Sequence, residues 1–225
     1  MKLLGPASGL LVLALPAMAG DVSGHAVVTK RLTKRTLSPI VYSLRGTATP
    51  TASPETEPVN EFERMVVILE GGHVPSRPPV AETVDQRAAH FEPDFITVPV
   101  GSTVQFPNSD PIFHNVFSLS KAQPFDLGFY PQGQSRVVKF NHEGVVQIYC
   151  HIHANMYAAI VVTASPWFTK PAQDGSFLFA NVPAGHYRLI AWHKIAGLHA
   201  VTVDVPEAGR ADVTIRVPVD TETRP

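Results

Sequence analysis

The stretch "VVQIYCHIHANMYAAIVVT" (145–163) sets two apolar runs rich in β-branched residues on either side of a short polar loop. Such runs predict two buried strands joined by that loop. The loop carries Cys150, the single cysteine of the chain, followed by His153 and Met156 in the spacing C-x2-H-x2-M. A loop between two strands gathers its side chains at one end of a β-sandwich, so the stretch is either a metal site or a crowded strand end.

The rest of the chain repeats this alternation of short apolar runs and turn residues. Its 21 prolines and 15 glycines fall between runs rich in Val, Ile, Phe and Tyr, and no long helical period appears. Examples are "RMVVIL" (64–69), "FITVPV" (95–100) and "YRLIAW" (187–192). Many short strands with regular punctuation predict an all-β protein built from sandwiches.

Changes in composition divide the chain into four parts. Residues 1–19 form an N-terminal segment, and residues 20–82 hold candidate strands together with the Thr/Pro-rich loop "GTATPTASPETEPVN" (46–60), which has almost no large apolar residues. Residues 83–163 form a central domain, and residues 164–225 form a final β-sandwich. We expect the strands of 20–82 to pair with the final sandwich.

The segment 1–19 is typical of an export signal. Lys2 gives a positive start, an apolar run follows, and Ala17-Met18-Ala19 provides a small-residue cleavage site. The apolar run is too short to span a bilayer. We therefore expect cleavage after Ala19 and a periplasmic protein.

Charge and catalytic patterns exclude several function classes. The formal net charge is −1, and loss of Lys2 makes it −2, which favours neither nucleic acid nor an anionic membrane as a partner. No Ser/His/Asp set or pair of carboxylates is grouped in the sequence, so an enzyme is not predicted. A lone cysteine in an exported protein is buried, paired with another chain, or held by a metal.

The residue types around Cys150 favour copper. A thiolate and two imidazoles with a weak thioether are the ligands of electron-transfer copper sites. His151 is a poor second imidazole because adjacent residues of an extended segment point in opposite directions. His114, in "FPNSDPIFHNVFSLS" (106–120), is a better candidate from a neighbouring strand. Zinc, an empty site and simple packing remain alternatives, although a thioether is a poor zinc ligand.

The segments around His114 and Cys150 resemble those of a known family. "GSTVQFPNSDPIFHNV" (101–116) followed by "FNHEGVVQIYCHIHANMYAAIVV" (140–162) is similar to the cupredoxins, or blue copper proteins, of the amicyanin-like and plastocyanin-like branch. The matching features are H-N-V after a phenylalanine, the run of Phe140, Gly144, Tyr149 and Cys150, and the x2-x2 ligand spacing. The resemblance implies a Greek-key β-sandwich with one type 1 copper ion.

The resemblance also implies a role for each residue of the site. His114, Cys150 and His153 would be equatorial copper ligands, and Met156 would be the axial ligand. Asn115 would form hydrogen bonds near the ligand loop and hold two copper-bearing segments together. Ala154 stands where many relatives have a proline, which suggests a less rigid loop.

Electron transport is the function that the resemblance implies. A redox partner would dock near His153 on an apolar patch formed by Pro111, Ile112, Phe113, Ile152 and Tyr157. Copper storage or delivery with the same ligands is an alternative. A structural or adhesion protein with an accessory copper site is a further one.

A second resemblance covers the end of the chain. "QDGSFLFANVPAGHYRLIAWH" (173–193) is similar to the carboxypeptidase regulatory-like, transthyretin-like β-sandwich. Its two opening strands would be "SGHAVV" (23–28) and "RMVVILEG" (64–71), which precede the copper domain. The copper domain is thus predicted to be inserted into this sandwich, with a tandem order as the alternative. Surface or structural roles are expected for His186, His193 and His199, rather than a second metal cluster.

Overall fold

The computed structural model describes residues 19–29, 60–72 and 75–218. Most of the predicted export signal and of the Thr/Pro-rich loop lies outside these ranges. Within them the protein is all-β, as predicted, with one 3-10 helix at Glu61–Arg64. The strands are β1 (Ala19–Val28), β2 (Met65–Glu70), β3 (Ala81–Thr83), β4 (Asp85–Arg87), β5 (His90–Glu92), β6 (Phe95–Pro99), β7 (Thr103–Pro107), β8 (His114–Ser118), β9 (Phe125–Tyr130), β10 (Ser135–Lys139), β11 (Gly144–Tyr149), β12 (Tyr157–Thr163), β13 (Phe168–Thr169), β14 (Ser176–Pro183), β15 (Gly185–His193), β16 (Gly197–Val205) and β17 (Arg210–Val217).

The central strands form one sandwich. One sheet has the order β10-β7-β3, and the other has the order β6-β12-β11-β8-β9. Alternate residues of these strands point inward, as period-2 apolar patterns predict, and they bury Phe106, Val138, Ile148 and Ile160 between the sheets. The β4–β5 hairpin lies beside this core and contributes Phe91 to it.

The strands before the central sandwich pair with strands after it. β1 lies between β14, to which it is antiparallel, and β17, to which it is parallel. β2 is antiparallel to both β13 and β15. The sheets β14-β1-β17 and β13-β2-β15-β16 enclose a second apolar core that includes Met65, Phe177 and Leu189. The family of this second sandwich and the domain boundaries remain predictions.

An apolar interface joins the two sandwiches. Val66 and Ile68 of β2 and Ile190 of β15 pack against Ala159 and Val161 of β12. The rings of Phe95 and Trp192 stack across the interface, with centroids 5.5 Å apart. β2 is therefore buried on both faces, which explains why its sequence is a continuous apolar run and not an alternating one.

No helix in the described ranges is long and apolar enough to cross a membrane.

Candidate metal centre

The loop that carries the candidate ligands is closed by a pair of tyrosines. β11 ends at Tyr149 and β12 begins at Tyr157, and these two residues are paired in the sheet. Inside the loop, Met156 N donates to the backbone oxygen of His153 at 3.0 Å, which forms a turn. Cys150 is buried, Met156 is fully buried, and His153 is half-buried.

Three ligand atoms converge at this end of the sandwich. Cys150 Sγ lies 3.8 Å from His114 Nδ1 and 3.9 Å from His153 Nδ1. All three atoms are within 4.8 Å of one another. A metal about 2.0 Å from nitrogen and about 2.3 Å from sulfur, at a trigonal angle, separates those atoms by about 3.7 Å. The observed distances therefore fit one ion bound by all three side chains.

The donor set fits copper. His114 reaches the site from the start of β8, and Cys150 and Met156 belong to the same apolar core, so the thiolate and the thioether are shielded from water. A thiolate, two imidazoles and a thioether form the set that copper accepts in both of its common oxidation states. In the described part of the chain, this is the one group of three or more His, Cys, Asp or Glu side chains close enough to hold a metal.

Asp110 supports His114, a role that was not predicted from the sequence. Asp110 Oδ2 lies 2.7 Å from His114 Nε2, and both side chains are buried. Burial by itself raises the pKa of Asp110, but hydrogen bonds from the Ala89 N–H, from His114 and from the Ala88 N–H outweigh it and hold that pKa below its ordinary value. The ionised carboxylate keeps the imidazole proton on Nε2, so the lone pair of Nδ1 faces Cys150.

The turn that holds Asp110 is strained. Ala88 and Ala89 connect β4 to β5 with φ values of +50° and +55°, a left-handed conformation that alanine adopts at a cost. Ala88 N donates to Asp110 Oδ1 at 2.6 Å, and Ala89 N donates to Asp110 Oδ2 at 2.8 Å. The two hydrogen bonds offset this cost and orient the carboxylate toward His114. The spacing of Asp110 four residues before His114 was the available sequence signal.

Asn115 connects the ligand loop to a neighbouring strand. Its Oδ1 accepts a hydrogen bond from His151 N at 2.9 Å, and its Nδ2 donates to Asp126 Oδ1 at 2.8 Å. The side chain of His151 lies outside the ligand group. It stacks on Phe117 with ring centroids 3.9 Å apart, and its Nε2 is 3.4 Å from Asp126 Oδ2.

The predicted apolar patch is present in part. Ile112, Phe113 and Ile152 are 46%, 57% and 53% exposed, which is high for such side chains. Phe129, which was not predicted to belong to the patch, is also 52% exposed, and its ring lies 6.3 Å from that of His151. Tyr157 lies elsewhere, against Tyr149 and a lysine of the second sandwich.

The three late histidines have separate partners. His186 is exposed and its Nδ1 lies 2.5 Å from Asp204. His193 is buried beside Glu61, and His199 Nε2 lies 3.1 Å from the backbone oxygen of Ala196.

Comparisons with known proteins found matches to the central part of the chain. The model of the copper binding proteins of the plastocyanin/azurin family matches residues 79–163. A reduced Cu(I) form of an amicyanin mutant is 24% identical, with 37% of this chain and 82% of that chain covered and a TM-score of 0.35. A purple cupredoxin from Nitrosopumilus maritimus is 24% identical, with 36% and 99% covered and a TM-score of 0.34.

No curated protein matches the chain. The family match and the donor set lead to the same conclusion: residues 79–163 are a cupredoxin domain of the plastocyanin/azurin family, and its type 1 copper site is the cluster of His114, Cys150, His153 and Met156.

Proposed function

We propose that the protein is an exported, non-enzymatic carrier of single electrons between redox partners. The observation that carries the proposal is the buried cluster of Cys150 Sγ and two imidazole nitrogens at 3.8 and 3.9 Å, inside a plastocyanin/azurin domain. A copper ion bound there would supply one-electron exchange between its Cu(II) and Cu(I) forms. His114, Cys150, His153 and Met156 would hold the ion.

The protein's contribution is to hold these donors still. Asp110 fixes the ring of His114, and Asn115 fixes the backbone that follows Cys150. Ligands held in place by a rigid scaffold move little when the charge of the metal changes, which favours fast electron exchange. The same rigidity supports a carrier over a delivery protein, because delivery requires the ligands to release the metal.

The exposed side of the site suggests where electrons enter and leave. His153 is half-buried, and the exposed side chains of Ile112, Phe113 and Ile152 lie at the same end of the sandwich. A small apolar surface around a ligand histidine suits a redox partner that must dock weakly and leave quickly. Location in the periplasm and a carboxypeptidase regulatory-like fold for the second sandwich belong to this proposal.

Copper loading and voltammetry test the proposal together. Purified protein given Cu(II) should develop an intense visible absorption band from thiolate-to-copper charge transfer, and Cys150→Ala should abolish the band. The loaded protein should show a reversible one-electron couple. A protein that binds copper without colour would contradict the carrier function, and a slow, irreversible couple would favour copper delivery.

A further inference from the structure

The second sandwich places one buried cation against the base of the copper-ligand loop. Lys194 follows the last residue of β15, and its side chain is 6% exposed. Its Nζ donates to Asp94 Oδ2 at 2.5 Å and to the backbone oxygen of Tyr157 at 3.3 Å. Asp94 and Tyr157 both belong to the cupredoxin domain. One side chain of the second sandwich is therefore bound to two segments of the first.

Tyr157 is the residue at which the ligand loop ends. It directly follows Met156 and is paired with Tyr149, which directly precedes Cys150. The two tyrosine rings pack with centroids 5.3 Å apart, and Lys194 Nζ lies 4.8 Å from the centroid of the Tyr157 ring. A shift of Tyr157 would therefore displace residues on both sides of the loop.

Lys194 is held in place by its own sandwich. The N–H groups of Ile195 and Ala196 donate to Nδ1 of the buried His193 at 3.2 and 3.1 Å. His193 Nε2 in turn lies 3.2 Å from Glu61 Oε2. These bonds fix the backbone from which the lysine side chain extends.

The partner of Lys194 is equally fixed. The backbone oxygen of Asp94 accepts a hydrogen bond from Ala159 N at 3.0 Å, and the next residue, Phe95, stacks on Trp192 of the second sandwich. Burial lowers the pKa of Lys194, and the hydrogen bond and charge of Asp94 oppose that shift. An ion pair anchored at both ends in this way resists sliding of one sandwich over the other.

We propose that Lys194 is a positioning residue for the copper site, through which the second sandwich holds Tyr157 and thereby the loop from Cys150 to Met156. This inference rests on the proposed function, and it adds a role for the second sandwich. That sandwich restricts the movement of the ligand loop and so contributes to the geometry and reduction potential of the copper.

Three variants test the proposal. Lys194→Met removes the ammonium group but keeps a long apolar side chain, and Lys194→Arg restores a cation. Arg188→Met is the matched control, because Arg188 lies on β15 and pairs with Glu70 at 3.7 Å on an exposed surface of the second sandwich. The measurements are amide hydrogen exchange of residues 151–157 in the copper-free protein, and the visible spectrum and reduction potential after Cu(II) loading.

Lys194→Met should speed exchange in the loop about tenfold, a loss of about 1.4 kcal/mol of local protection. It should also shift the reduction potential and the charge-transfer band. Lys194→Arg should restore the wild-type exchange rate, reduction potential and charge-transfer band. Arg188→Met should leave all three unchanged. If Lys194→Met does not fold, Lys194→Gln, which keeps an N–H donor without the charge, should give the same changes at smaller size.

Two results would overturn the proposal. One is a Lys194→Met protein in which the amide hydrogens of the loop exchange at the wild-type rate and the copper has the wild-type reduction potential. The other is an equal rise of exchange in β1 and β14, which would mean general destabilisation without a specific effect on the loop. A wild-type protein that forms no coloured copper complex would contradict the proposed function instead, and the exchange experiment would still decide the role of Lys194.

Discussion

Asp110 Oδ2 lies 2.7 Å from His114 Nε2, so the imidazole that faces Cys150 is held from its far side by a buried carboxylate. The carboxylate is held in turn by two N–H groups of the β4–β5 turn. This series of contacts runs from a strained turn to a copper ligand without passing through the metal. The orientation of His114 is therefore established by the polypeptide before copper binds.

Replacement of Asp110 by asparagine should weaken copper binding. An amide cannot provide two acceptors for the turn and a third for His114 Nε2, so the imidazole loses its fixed tautomer. Copper affinity should fall by about 10- to 100-fold, as is usual when the hydrogen-bond partner of a ligand histidine is lost. Competition with a copper chelator measures the change. Asp85→Asn is the control, because Asp85 lies on the same hairpin as Ala88 and Ala89 but contacts Arg87 and Ser109 and not His114. An equal loss in both variants would contradict a specific role.

Replacement of Ala89 by glycine should stabilise the protein. Glycine keeps the N–H donor to Asp110 and adopts a φ of +55° without strain, although it adds entropy to the unfolded chain. The net gain should be about 0.5 to 1 kcal/mol in the free energy of unfolding. Urea denaturation of the copper-free protein measures it. Ala180→Gly, at an exposed position of β14, should destabilise instead. A loss of stability in Ala89→Gly would show that the turn is not strained.

The residues of the copper cluster could be predicted from the sequence because three of the four share one loop. Cys150, His153 and Met156 share one loop between two recognisable strands, and His114 begins another strand. Asp110 was missed because its role depends on the β4–β5 hairpin. That hairpin contacts Asp110 through the N–H groups of Ala88 and Ala89. It is held beside the central sandwich by Gln86, whose Nε2 donates to the backbone oxygen of Pro107 and to the hydroxyl of Tyr130. Such contacts arise only from the packing of distant segments.

Tyr157 is a second residue whose surroundings could not be predicted from the sequence. The sequence-based prediction placed Tyr157 in the apolar patch around the copper end of the sandwich. The structure places its ring against Tyr149 and beneath Lys194, a residue 37 positions later in the other sandwich. Alternation along β12 predicts which face a residue occupies, but it contains no information about which element covers that face.

Replacement of Asn115 by alanine should loosen the ligand loop. The change leaves His151 N without the acceptor now 2.9 Å away, and an unsatisfied, part-buried N–H group costs about 1 to 3 kcal/mol. Thermal unfolding of the copper-free protein should record this loss, and copper should dissociate faster from the loaded variant. Asn155→Ala makes the same chemical change at an exposed position of the same loop. Equal effects of the two substitutions would contradict the role of Asn115.

Acid should destabilise the second sandwich through His193. Burial, with a smaller contribution from the charge of Arg64, lowers the pKa of His193 to about 4 from 6.5. The unfolded chain binds a proton as the pH falls through 6.5, whereas the folded protein binds it only near pH 4. The contribution to stability is therefore complete above pH 6.5 and is lost between pH 6.5 and 4. At about 1.4 kcal/mol for each pKa unit, the loss is of the order of 3 kcal/mol.

His193→Asn isolates this effect, because the amide oxygen of asparagine can accept from Ile195 N and Ala196 N but does not titrate over this range. Denaturation of the copper-free protein at a series of pH values should give a steep decline in stability below pH 6.5 for the wild type and a shallower one for the variant. The variant has lower stability at pH 7, since asparagine fills less of the buried site beside Glu61. The slopes are therefore compared, and not the absolute stabilities. Parallel slopes would show that His193 is protonated in the folded protein as easily as in the unfolded chain, and that the acid sensitivity arises at other groups.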